Sequence, residues 1–164
     1  MSRITWLIIL IAFFPSLSWA ADDECDFDQA ERHRSNLALQ KKYPGSKFIE
    51  NKYTLTIFDG ADEILLGVGG CVHFGVMIEL RTKKTTAYDS DTALLQKIVA
   101  LAKQYSQGYI DHGVLQEKIN AGKWRNIDPK TSNYFMLDYD EFSTFEIYRR
   151  NEDGLTIIGL NHYS

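Results

Sequence analysis

The residues of this 164-residue chain whose types allow covalent or proton-transfer chemistry are its two cysteines, Cys25 and Cys71, and His73 beside the second of them. A thiol at the start of a helix has a lowered pKa, and a histidine facing it can act as base, the arrangement of papain-like cysteine peptidases and amidases. Cys25 precedes a helix-like stretch and His73 lies on an apolar run, so a thiol-dependent peptidase or amidase using Cys25 and His73 is one reading. Two features oppose it. Asp22, Asp23 and Glu24 would raise the thiol pKa, and a disulfide between Cys25 and Cys71 would consume the nucleophile. The disulfide is the preferred reading, because an even cysteine count in an exported chain argues for pairing. It would close a loop of about 45 residues, for which chain entropy gives on the order of 4 kcal/mol.

Other catalytic patterns are missing. Cys71 and His73 share one strand face, but neither they nor His33, His112 and His162 show zinc-ligand spacing, so no metal is expected. Asp138, Asp140 and Glu141 lack the framework of a calcium loop. Gly67-Val68-Gly69-Gly70 is followed by no lysine, so it does not form a phosphate loop. No GxSxG or HExxH occurs, and no spacing selects a carboxylate pair. No catalytic residue is assigned on this reading, and no cofactor is implied.

The compartment follows from the first twenty residues. Arg3, an apolar stretch from Trp6 to Phe14, Pro15 and the Ser18-Trp19-Ala20 end read as a secretory signal peptide, 1–20, cleaved before Ala21. The apolar part is shorter than the ~20 residues that cross a bilayer. The acids before Cys25 argue against lipidation, so a soluble periplasmic or secreted protein is expected. Beyond Ala20 the chain carries 17 Lys and Arg against 22 Asp and Glu, a mildly acidic balance that disfavours nucleic acid and suits a cationic protein partner. Residues 21–164 have the size of one domain with one core.

The longest apolar run outside the leader, Leu65 to Arg81, predicts a central strand over 71–81. Val72, Phe74, Val76, Ile78 and Leu80 would face the core, with Cys71, His73, Gly75, Met77, Glu79 and Arg81 opposite. Two strands precede it, at about 52–57 and 63–68, joined by Asp59-Gly60-Ala61-Asp62. A helix over 28–42 carries Ala30, His33, Leu37 and Ala38 near helical spacing, and Tyr43-Pro44-Gly45 stops it. A second helix begins at Ser90 or Asp91 and runs to about 105, and a third spans about 111–121 with Gly122 as its cap. Trp124 follows as an anchor against the core. Strands at 134–139, 144–149 and 155–161 complete the chain. The predicted class is α+β: a mainly antiparallel sheet of about six strands in the order α-βββ-αα-βββ, with helices on one face.

Positive signs of function come from residues that grip partners. Tyr134, Met136, Tyr139 and Tyr148 fall on the terminal strands, Met77 and His73 on the central one, and Asp138, Asp140 and Glu141 at strand ends that would steer a basic partner. The expected function is a small exported protein that neutralises or inhibits another protein. That protein would be a basic toxin or a hydrolase: the chain serves as an immunity protein against a secreted effector or an inhibitor of a cell-wall lytic enzyme. Besides the thiol enzyme, a binder of a small ligand is the further alternative.

Overall fold

In the computed structural model, residues 29–49, 54–69, 75–84, 86, 88–128, 133–138, 140 and 143–163 are described. The expected signal peptide, both cysteines, the disulfide expected between them, and His73, Tyr139 and Glu141 lie outside these residues.

Alternation in the first half builds a meander. After α1 (Gln29–Lys42) the chain forms β1 (Lys47–Ile49), β2 (Thr54–Asp59), β3 (Asp62–Val68) and β4 (Gly75–Thr82), each antiparallel to its predecessor. The β2–β3 turn uses Gly60 at φ +63, a left-handed conformation that costs glycine little. Two helices follow, α2 (Asp91–Tyr105) and α3 (His112–Asn120), and then a second meander: β5 (Arg125–Asn126), β6 (Tyr134–Asp138), β7 (Thr144–Glu152) and β8 (Leu155–Tyr163). Asp153 and Gly154, both at positive φ, make the tight β7–β8 turn, as an Asp-Gly pair readily does.

The two meanders join through β4 and β8, which pair antiparallel from Gly75↔Tyr163 to Thr82↔Thr156. The sheet order is therefore β1-β2-β3-β4-β8-β7-β6-β5. Between β4 and β5 the chain must move from the centre to the far edge, four strand spacings or about 19 Å. The 15-residue α2, about 22 Å long, is sufficient for that crossing and packs on β4, β7 and β8. Ser90 caps it by accepting from the Ala93 N–H at 3.2 Å. Asp111 does the same for α3, accepting from Gly113 and Val114.

One hydrophobic cluster lies between the sheet and the helices. Val76, Ile78 and Leu80 enter it from β4 as alternation predicts, with Ile158 and Leu160 beside them and Leu94, Ile98 and Leu101 above. Trp124 packs edge-on against Phe135, centroids 5.5 Å apart, the anchoring role expected of it.

The α+β class and the single antiparallel sheet agree with the sequence reading, but the sheet has eight strands rather than six. The additional ones, β1 and β5, are three- and two-residue edge strands, too short for alternation to register. The face of α1 also differs. Leu37 and Ala38 are exposed, whereas Asn36 and Leu39 are buried. The cause is a polar anchor: the Asn36 amide donates to the Val68 carbonyl at 3.1 Å and to the Arg32 carbonyl at 2.8 Å, fixing α1 to the end of β3.

Candidate functional site

The sheet face away from the helices carries the second set of each alternation. Gly75, Met77, Glu79 and Arg81 of β4 lie on it, as predicted, and the register brings Tyr163, Asn161, Gly159 and Ile157 of β8 alongside them in turn. Tyr148 stands next to Gly159, and Tyr134 next to Tyr148. Gly67 of β3 lies beside Met77 on the other side. Gly67 and Gly75 bring no side chain to this face, and Gly159 leaves room that the Tyr148 ring fills. The result is a trough of about 700 Å³, floored in part by Gly67 and Gly75 and walled by Met77, Tyr134, Tyr148 and Tyr163.

A buried carboxylate holds the floor together. Glu79 is only 4 % exposed. Its Oε1 accepts from Arg81 Nε at 2.7 Å, while its Oε2 accepts from the Tyr148 hydroxyl at 2.8 Å and from Arg150 Nη2 at 2.9 Å. Such a charge is tolerable away from water only when paired and hydrogen-bonded, as it is here. The Arg150 guanidinium sits 5.2 Å from the Tyr148 ring centroid, a cation–π contact, and also reaches Glu152 at 3.2 Å.

These contacts fix the ionisation of the walls. Burial, then the charge of Glu79, pushes the Tyr148 phenol well above its ordinary value. Tyr134 is pushed up to about 12 by burial and by its hydrogen bond to Glu146, and Tyr163 is raised by burial and then by the Glu146 charge. All three stay neutral near pH 7. The hydroxyls of Tyr134 and Tyr148 are committed to carboxylates of the sheet, so what these residues offer a ligand is ring surface on a rigid frame.

Of the residues the sequence marks for binding, Met77, Tyr134 and Tyr148 come together in the trough. Met136 and Asp138 share its sheet face but sit near the β5 edge, lining a smaller cavity of about 430 Å³ with Trp124 and Arg125. Asp138 is engaged there by Arg125 at 3.3 Å. Asp140 lies in the β6–β7 turn, where its Oδ1 accepts from the Ser143 N–H at 2.8 Å. Sequence reasoning does not pick out Glu79, Arg150, Asn161 or Gly159 as site residues. The signal was a glutamate inside an apolar run and a lone glycine inside an apolar strand.

The end of the trough near β3 is reached by α1. The Arg32 side chain lies against Gly69, so closely that a Cβ at position 69 would sit 2.7 Å from its Cγ and Nε. Arg32 and Gly69 both line the trough, as does Asp128 on the opposite side.

Among the described residues no three His, Cys, Asp or Glu side chains gather as a metal site requires. Comparison with known proteins finds no family model, no curated protein and no solved structure that matches the chain. Fold and trough define the class: an α+β protein whose single antiparallel sheet has helices on one face and an aromatic trough on the other.

Proposed function

We propose that the protein is a small exported binding protein of the periplasm that neutralises or inhibits another protein, and that it grips this partner through the helix-free face of its sheet. The single observation that carries the reading is the trough itself. Tyrosine and methionine are enriched where proteins grip one another, and here they stand on paired strands with their polar ends already satisfied. Little ordering cost remains for a partner to meet. An immunity protein against a secreted toxic effector and an inhibitor of a cell-wall lytic enzyme are the two roles this design suits.

A second reading, a small-ligand binder, draws on the trough's volume. About 700 Å³ lies within the range of roughly 300 to 1,000 Å³ typical of small-molecule sites. Site-directed photocrosslinking separates the two. A photoreactive phenylalanine analogue in place of Met77, expressed in the producing cells and challenged with material from competing bacteria, should give one dominant protein adduct. That adduct should vanish when Tyr134→Ala is added. Absence of any protein adduct, together with a small molecule that raises the melting temperature, would replace the inhibitor reading with the ligand one.

A further inference from the structure

The turn that ends α3 builds a second concavity beside the trough. The Lys123 N–H donates to the Lys118 carbonyl at 2.9 Å and Gly122 takes φ +67, so the chain doubles back and delivers Lys123, Trp124 and Arg125 to the edge of the sheet. Trp124 is braced there by Phe135, and Arg125 pairs in register with Met136. Together with Lys118 and Asp138 these residues line the cavity of about 430 Å³. Alternation along β6 puts Tyr134, Met136 and Asp138 on one face, so this cavity begins one side-chain repeat, about 7 Å, from the Tyr134 wall of the trough.

The charge here is opposite in sign to what the acids at the strand ends suggest. Three cations, Lys118, Lys123 and Arg125, line the cavity with one carboxylate, that of Asp138. Asp138 is already engaged: Arg125 reaches its carboxylate at 3.3 Å, and the Lys118 ammonium donates to its carbonyl. A guanidinium carries five N–H donors, so Arg125 can serve a second carboxylate as well. Lys123 is exposed and makes no ion pair or side-chain hydrogen bond among the described residues.

We infer that this cavity receives an acidic side chain of the partner protein, with an apolar neighbour of that side chain lying on Trp124 and Met136. The inference rests on the partner being gripped by the helix-free face and adds the chemistry of one contact at its β5 edge. Charge complementarity carries it. A partner carboxylate gains Lys123 and Arg125, whereas a basic side chain in the same place would meet three cations. The indole and the thioether supply an apolar wall that a bare anion would not use. Because Phe135 braces Trp124 and the turn at Gly122 is closed by backbone hydrogen bonds, little remains to be ordered on contact.

Trp124 is itself the reporter. It is the only tryptophan beyond residue 20, and Trp6→Phe with Trp19→Phe makes it the only one in the full chain. Titration of that purified chain at low salt with an acetylated peptide of alternating glutamate and leucine should change its fluorescence and saturate. The glutamine and lysine counterparts of the peptide, and acetate at equal carboxylate concentration, should bind about ten-fold more weakly or less. Lys123→Ala should weaken the glutamate peptide about three-fold and Lys123→Glu about ten-fold. The melting temperature should not move, as expected of an exposed side chain without a partner in the fold. No partner protein is present, so the result is independent of the Met77 adduct of the preceding section. No saturable change, equal responses to the glutamate and lysine peptides or to acetate, or a response that Lys123→Glu leaves intact would overturn the inference while the trough reading stands. A missing Met77 adduct beside a selective titration would count against the trough alone.

Discussion

The ring of Tyr148 occupies the space in which a side chain at Gly159 would stand. A Cβ at position 159 would lie 2.6 Å from Tyr148 Cε1 and closer still to Cζ and the hydroxyl oxygen. The glycine is what lets the phenol lie down across β8 and reach Glu79 on β4. Gly159→Ala should therefore displace the ring, break its bond to Glu79 and destabilise the fold by about 2–3 kcal/mol, the cost of overpacking a filled site. Urea denaturation checks the value. In the background of Tyr148→Ala the same substitution should cost much less, because the clash is gone and the two effects are coupled.

Glu79 makes an asymmetric prediction. It is deeply buried, while the Arg81 and Arg150 side chains are 34 % and 46 % exposed. Glu79→Ala removes at once the acceptor of three bonds, from Arg81, Arg150 and the Tyr148 hydroxyl, and should cost about 3 kcal/mol. Arg81→Ala or Arg150→Ala alone should cost about 1 kcal/mol, since the remaining arginine and Tyr148 still hold the carboxylate and water screens the exposed partner. Equal losses in thermal or urea denaturation from all three variants would mean that the floor is not organised around Glu79.

Much of this arrangement was legible in the chain. Alternation placed Val76, Ile78 and Leu80 inward and Met77, Glu79 and Arg81 outward, and the helix expected from Ser90 or Asp91 to about 105 is α2, which buries Leu94, Leu95, Ile98, Leu101 and Ala102. What escaped was whatever depends on a partner distant in sequence. Glu79 finds Tyr148 and Arg150 across some seventy residues, and only the β4–β8 pairing brings them together. The buried face of α1 was misplaced for the same reason: Asn36 is inside because the Val68 carbonyl is there to receive it, which no local periodicity records. The edge strands β1 and β5 exist through pairing alone.

His162 gives stability a dependence on acid. The ring lies against Phe145 with centroids 4.6 Å apart, and burial lowers its pKa below the ordinary 6.5, against smaller upward pulls from the Thr144 backbone and Asp140. The unfolded chain therefore binds a proton here before the folded chain does. The stabilisation is complete above pH 6.5, declines as pH falls through that value, and stops declining once the folded pKa is passed. Unfolding measured across this range should show the slope in the native sequence and a flatter profile in His162→Phe.

The trough tyrosines give the opposite limb. Tyr134 ionises at about 12 in the folded protein and Tyr148 higher, against 10 in an unfolded chain. Stability from these groups is present in full below pH 10 and is lost as pH rises from there toward the folded values. A spectrophotometric titration should find these phenols the last to ionise, and Tyr134→Phe should remove one late component. Should all the phenols ionise together near pH 10 in the folded chain, the walls are open to water and the hydroxyls are not committed to Glu79 and Glu146.

The two cysteines decide between staple and nucleophile. Asn36 and Arg32 of α1 meet the chain at Val68 and Gly69, at the end of β3. Cys25 is four residues before Gln29 and Cys71 two beyond Gly69, so spans of at most about 14 Å and 7 Å separate them from a shared region. A disulfide needs Cα atoms about 5.5 Å apart, which those spans allow. The protein made in an oxidising compartment and denatured without reductant should show no free thiol, and reduction should lower its stability by about 4 kcal/mol for a loop of about 45 residues. Two titratable thiols would remove the staple and return Cys25, with His73, as the pair for a thiol peptidase or amidase, whose activity an alkylating agent would then abolish.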